Sequence, residues 1–368
     1  MPFAALPGNP SSCSLPYAMA NERTLTAREL NRALLARQFL LERSALPLVS
    51  TIERVGGLQT QYAPSGYIGL WSRMRNFRRD SLTTALQQRR VIQGTLLRST
   101  IHMVSARDYW LFLAATRQPR QDWWRRVTRH QIGELDMKGA VEALREQLAT
   151  GPRRADELKG ILAARGLPSF AFGGVGQWLE MVRVPPSGTW EQRRADLYGL
   201  AETWIRPASD AEPAALEHVI RRYLGAFGPA SVREIADWAG VPYTKLVPVL
   251  ERISLRHFRD EKGKDLIDLP RAPLPDADTP APVRFLPTWD ATLLVHARRT
   301  QILPERYRPL VFNTRTPHSV PTFLIDGAVA GTWREERGRV ELKPFEPIPR
   351  SVRREVDDEA ERLAAFFR

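Results

Sequence analysis

The sequence predicts an α+β protein made of tandem winged-helix (helix-turn-helix) motifs followed by a C-terminal β-rich domain. Three observations point there. Helically spaced apolar residues near the start give way to a stretch alternating at period two. A Gly-Pro-led segment with a helix-capping pattern occurs twice in mid-chain. Beyond residue 270 a Pro- and Asp-rich linker leads into short alternating runs separated by turn residues.

Residues 1–22 supply Pro, Ser and Gly but no periodic apolar face, so they read as a disordered extension, with Met19 as an alternative start. They lack the basic and apolar regions of a secretory signal. The first unit is expected over 23–135. Thr24 or Thr26 caps a helix whose apolar positions Leu30, Leu34, Leu35 and Leu41 carry it to Glu42. A second helix follows Pro47 and closes at Gly56-Gly57. A loop with Pro64 and Gly66 then leads to a third helix at 80–89. From Val91 to Val104 the chain alternates as a hairpin: Val91, Gln93, Thr95 and Leu97 on one face, then Arg98, Thr100 and His102 at period two. Three short helices and a hairpin are the elements of a winged helix, the hairpin being its wing.

The second unit is expected over 136–210 and the third over 211–270. Gly151-Pro152 and Gly228-Pro229 each follow a helix (Val141–Leu148 and Leu216–Phe227), and each is followed by Glu and an aliphatic residue, Glu157-Leu158 and Glu234-Ile235. Ser231 and Glu234 have capping-box spacing, Gly240 falls at the tight turn, and Val241–Ile253 is the recognition-type helix. In the second unit Leu158–Ala164 and Trp178–Val184 continue the pattern, and Pro185–Gly188 opens a wing. The β-rich domain, 271–368, is expected to hold strands at Val283–Leu286, Thr292–Val295, Thr322–Ile325, Ala328–Trp333 and Val340–Phe345. Asp326-Gly327 is a two-residue hairpin turn, Glu336–Arg339 another reversal, and Val352–Phe367 a closing helix.

Composition limits the function. The 54 basic residues, only six of them lysine, exceed the 41 acidic ones and give a net charge of +13. A GC-rich genome favours arginine over lysine, but codon bias alone does not create a surplus of cations. The surplus points to a polyanionic partner, nucleic acid ahead of a membrane surface. No run of eighteen apolar residues is present, so no membrane span is expected and the protein is read as cytoplasmic and nucleoid-associated. The single cysteine, Cys13, lies in the extension and leaves no thiolate set for zinc in the folded body. Histidines 102, 130, 218, 257, 296 and 318 show no ligand spacing, and no phosphate loop or nucleophile elbow occurs, so neither metal nor cofactor is expected. Asp357-Asp358 lies in a polar, solvated helix. Trp123-Trp124 beside Arg125-Arg126 reads as core or as a base-stacking pair.

What remains is Gln59-Thr60-Gln61, bounded by Gly56-Gly57 and Pro64. Two glutamines two residues apart share a face only where the chain is extended or irregular. By spacing alone this is a weak signal.

The runs LTARELNRALLARQFL, VGGLQTQYAPSGYIGLWSR, LLRSTIHMVSARDYW and PTFLIDGAVAGTWR together strongly resemble the bacterial winged-helix DNA glycosylases of the azinomycin-resistance (AlkZ-like) type, from about Leu25 to the C-terminus. The resemblance implies winged-helix motifs around a DNA channel. It also implies hydrolysis of N-glycosidic bonds of N7-alkylated purines, in some members including bulky natural-product adducts and interstrand crosslinks. The family's catalytic motif, two glutamines around a usually hydrophobic residue, falls on Gln59 and Gln61, with polar Thr60 as the departure. Glutamine suits such chemistry: N7 alkylation already activates the base as a leaving group, so the enzyme must mainly hold water at C1′. Arg98, Thr100 and His102 on the first wing face DNA phosphates or the pocket, or else form an exposed wing face of ordinary polar residues. Asn313–Ser319, with Arg315 and His318 at its tip, is either a groove-probing hairpin or a plain solvent loop.

The expected activity is thus that of a monofunctional glycosylase acting as a monomer on double-stranded DNA with alkylated purines, since no lysine flanks the glutamines to form a Schiff base. The alternative is a winged-helix transcription regulator without chemistry, in which the Gln-x-Gln bend has no role.

Overall fold

The computed structural model describes residues 23–132, 136–207, 211–294, 298–312 and 319–368. Arg315 and His318 lie outside the described residues, as does Val295.

After a short strand β1 (Arg23–Leu25), Thr26 caps helix α1 (Ala27–Arg37) through a capping box with Glu29. The helix stops short of Glu42 because Phe39 takes a left-handed backbone (φ 54°). Then one order of elements appears three times. First come α2 (Leu48–Arg54), β2 (Leu58–Gln59), α3 (Ala63–Arg73), α4 (Arg79–Gln87), β3 (Val91–Thr95) and β4 (Ile101–Ser105). The long helix α5 (Ala106–Ile132) leads to α6 (Met137–Ala149), β5 (Arg153–Arg154), α7 (Ala155–Ala163), α8 (Ala171–Trp178), β6 (Met181–Arg183) and β7 (Leu197–Leu200). After α9 (Ala201–Trp204) come α10 (Ala211–Phe227), α11 (Val232–Ala239), α12 (Tyr243–Leu250), β8 (Arg256–Asp260) and β9 (Asp265–Asp268). There a single bridge, Ala230 to Ile267, stands where β2 and β5 stand in the other two. Helix, strand, two helices and two strands is the order a winged helix has.

The first two repeats fuse through β3 and β6 into one six-stranded sheet of order β2-β4-β3-β6-β7-β5. Strand β1 extends the third repeat's sheet, pairing parallel with β8. The C-terminal sheet is an antiparallel β10-β11-β12-β13 meander: β10 (Arg284–Leu286), β11 (Thr322–Ile325), β12 (Ala328–Glu336) and β13 (Arg339–Pro344). A one-turn helix α13 (Arg308–Val311) precedes β11, and α14 (Arg350–Phe367) closes the chain. Both expected reversals form on left-handed residues, Asp326-Gly327 and Arg337-Gly338.

Two further expectations fail on local grounds. The segment with Pro64 and Gly66 is not a loop but helix α3, and the first repeat's three helices are α2, α3 and α4 rather than α1, α2 and α4. Pro64 sits in the first turn, where its missing N–H breaks no bond. The helix is buried on nearly every side, so it carries no amphipathic stripe to read. Thr292–Leu294 forms a turn rather than a strand, because the Asp290 carboxylate accepts from the Thr292 N–H (3.1 Å) and hydroxyl (2.8 Å). That same carboxylate receives a fully buried Arg73 guanidinium at 2.8 and 2.9 Å.

The main core joins α1, α5, α10 and α11 around Phe112, Tyr223 and Trp238. A second core places Tyr67 and Leu58 of the first repeat against Phe285, Phe323 and Trp333 of the C-terminal sheet. Not all the arginine serves the surface. Arg37 makes a buried bidentate pair with Asp268 at 2.7 and 2.9 Å, tying α1 to the third repeat. Trp124 is core, packed on Phe170, with Trp123 half-buried beside it.

Candidate active site

Strand β2 exists because the chain must leave α2 abruptly. Gly56 and Gly57 both adopt left-handed backbone (φ 79° and 80°), and a Cβ on Gly57 would stand 2.9 Å from Val104 of β4. The chain is thereby laid along β4 in the register Leu58 to Met103 and Gln59 to His102. The Thr60 N–H still donates to the Ile101 carbonyl at 2.8 Å. Beyond it the backbone turns away toward α3, and the Gln61 side chain substitutes for the missing ladder acceptor: its Oε1 receives the Ile101 N–H at 2.8 Å.

Gln59, in β2, is buried (9% exposed), and Gln61, two residues beyond the strand, is exposed. Gln59 Oε1 receives the Arg98 guanidinium at 3.1 Å. A backbone N–H and a guanidinium are donors only, so both contacts fix which end of each amide is oxygen. Each glutamine therefore keeps one unused lone pair on an anchored oxygen and turns its NH₂ group away from its anchor. Such a pair can accept from water and donate to an anionic or carbonyl oxygen without any proton transfer of its own.

Arg98 lies in the β3–β4 turn, with left-handed backbone at Arg98 and Ser99 (φ 52° and 56°). Its guanidinium also donates to the Trp238 carbonyl at the end of α11. Burial pulls its pKa down to about 10, leaving it charged at neutral pH. Gly240, the left-handed cap of α11, lies so close that a Cβ there would stand 3.3 Å from the Arg98 backbone nitrogen. On the other side the Ser99 hydroxyl donates to Gln177 Oε1 (3.2 Å), and Arg120 bonds both that oxygen (3.1 Å) and the Gly176 carbonyl (3.0 Å) of α8. The turn behind Gln59 is thus held by all three repeats.

His102 is buried (3% exposed), directly across from Gln59 on β4. Its Nδ1 lies 3.1 Å from the Thr100 carbonyl, which can only accept, so Nδ1 carries the proton. Desolvation, then the neighbouring Arg98 charge, lowers its pKa to about 3, and the ring is neutral. Thr100 is half-buried and its hydroxyl donates to the Leu97 carbonyl at 2.9 Å. Of the residues singled out in the sequence, Gln59, Gln61, Arg98, Thr100 and His102 come together here.

A model of the AlkZ-like DNA glycosylase family matches residues 52–366. The chain belongs to that family. The solved structure of Streptomyces sahachiroi DNA glycosylase AlkZ has a similar fold, with a TM-score of 0.76 over 94% of this chain and 97% of that one, at 17% sequence identity. No curated protein matches the chain. As an AlkZ-like DNA glycosylase it is an enzyme acting on DNA, which sets aside the regulator without chemistry. Among the described residues no helix is long and apolar enough to cross a membrane.

The sequence did not reveal the supports of this candidate site. Gln177, Arg120 and the Trp238 carbonyl come from distant segments with no motif to mark them. Tyr62 was legible in principle: it follows Gln61 directly, stays 40% exposed, and its hydroxyl receives Arg193 at 3.0 Å.

Proposed function

We propose that this glycosylase is monofunctional and hydrolyses the N-glycosidic bond of N7-alkylated purines in double-stranded DNA, leaving an abasic site. The observation that carries the reading is the anchoring of both glutamine oxygens by pure donors, Arg98 on Gln59 and the Ile101 N–H on Gln61. Alkylation at N7 gives the purine a positive charge, so the C1′–N9 bond breaks toward a neutral base without an acid. The remaining work is to hold a water against C1′ as it becomes oxocarbenium-like, which fixed amide dipoles do by position and electrostatics. Glutamine has no titratable proton to give, so an uncharged base, which needs protonation to leave, is a poor substrate.

Arg98 and Thr100 spend their hydrogen bonds inside the protein in this reading, so they hold the site, while Gln61 and Tyr62 meet the DNA. The exposed position of that pair suits bulky adducts and crosslinks as well as methylated bases. One chain with three repeats suits a monomer along a duplex, in the nucleoid.

The test is incubation with a duplex carrying a single N7-methylguanine, followed by alkali. Strand scission at the lesion, above an enzyme-free control, is expected. No scission there, with binding intact, would overturn the substrate class.

A further inference from the structure

Water addition at C1′ raises a problem that two glutamines do not solve. When C1′–O forms and C1′–N9 breaks, the bonding electrons neutralise the departing base, and the new oxygen is left with two hydrogens and a positive charge. One proton must leave, and an amide cannot keep it.

The ring of His102 stands where it can be taken. His102 is the cross-strand partner of Gln59, so the two side chains rise from the same face of the sheet with Cβ atoms roughly 5 Å apart. The Thr100 carbonyl holds the proton on Nδ1, which puts the ring's lone pair on Nε2. Among the described residues that nitrogen makes no hydrogen bond, since both contacts of the ring go through Nδ1.

We propose that His102 is a further catalytic residue of this glycosylase: its Nε2 receives the proton that the attacking water releases at C1′. This rests on the assignment of the reaction centre to Gln59 and Gln61. The imidazolium so formed, beside Arg98, returns its proton to solvent as the abasic product leaves. The same surroundings that keep the ring neutral at rest do not prevent the step. Burial and the Arg98 charge make His102 a weak base, with a pKa of about 3, yet a protonated alcohol oxygen is a far stronger acid than that. A weak base also stays unprotonated at neutral pH, so its lone pair is always ready.

Two substitutions separate the ring's nitrogens. Asparagine places a donor near the Nδ1 position and can keep the Thr100 bond, but has nothing at Nε2. Glutamine places an oxygen near Nε2 that can accept a hydrogen bond but not keep a proton. Single-turnover release of N7-methylguanine is measured beside melting temperature and affinity for abasic DNA. His102→Asn is expected to fold and bind normally and to react about 100-fold more slowly. His102→Gln is expected to be slowed about ten-fold, keeping the acceptor without the base. A folded His102→Asn at the wild-type rate overturns the proposal. If that variant does not fold, His102→Gln decides, and full activity in it overturns the proposal equally. Gln59→Ala and Gln61→Ala are run alongside. If they too react at full rate, the site assignment has failed; if they are slow while His102→Asn is fast, only the proton acceptor has.

Discussion

The Arg98 guanidinium donates to the side-chain oxygen of Gln59 at 3.1 Å and, through its other nitrogen, to the Trp238 carbonyl of α11. One side chain thus ties a candidate catalytic amide in the first repeat to a helix end in the third. Its removal leaves a buried amide oxygen and a carbonyl without this donor. Arg98→Ala is expected to destabilise the fold by about 1–3 kcal/mol. It should also slow N7-methylguanine release, because Gln59 is then free to rotate. Arg98→Lys should not rescue the rate, since one ammonium lacks the planar fork that reaches both acceptors. Melting curves and single-turnover rates check this, and a fast, stable Arg98→Ala would contradict it.

For the glutamines themselves, replacing either by Ala is expected to lower the rate by about ten- to a thousand-fold, with affinity for undamaged DNA nearly unchanged. Each factor of ten corresponds to about 1.4 kcal/mol of lost transition-state stabilisation. Gln61→Asp should be tolerated better than Gln61→Ala, because it keeps an acceptor and adds negative charge beside the oxocarbenium. Full activity in the well-folded double Ala variant ends the mechanism.

At Gly240, a methyl group meets both a left-handed backbone (φ 70°) and the Arg98 nitrogen at 3.3 Å. Gly240→Ala is expected to cost roughly 1–2 kcal/mol from the backbone alone. It should also reduce the rate by pushing Arg98 off Gln59. An unchanged rate with lowered stability would separate the cap from the site.

Acid should destabilise the fold through His102. Its folded pKa is about 3, against the ordinary 6.5. Between those values the unfolded chain holds a proton that the folded one does not, so stability falls as pH drops below 6.5, by on the order of 2 kcal/mol at pH 5. His102→Asn should flatten that part of the curve. Melting temperatures of both proteins from pH 7 to pH 4.5 decide it; parallel curves would mean the ring is not held neutral.

DNA affinity should fall steeply with salt, as expected when a chain of net charge +13 binds phosphates by releasing counterions. A flat plot of log K against log salt would argue against phosphate-led binding.

Read alone, the sequence settled what depends on local chemistry. Thr26 with Glu29 and Ser231 with Glu234 form the capping boxes their spacing announces. The Asp326-Gly327 turn and the β3–β4 hairpin likewise follow from turn residues and period-two alternation. Gln59-Thr60-Gln61 was visible as an oddity, and acquired a chemical reading through family resemblance rather than spacing. Tertiary structure decided the rest. Helix α3 escaped reading because a helix buried all round has no stripe. Thr292 was diverted from a strand by a carboxylate whose other role is to hold Arg73, far away in the chain. Arg98, Thr100 and His102, grouped by alternation, meet different surroundings: Arg98 reaches the third repeat and orients Gln59, Thr100 bonds within its own turn, and His102 is buried and stays neutral. Periodicity reports which residues share a face. Only packing between distant segments determines what covers that face, and hence which polar atoms are anchored and which remain free to react.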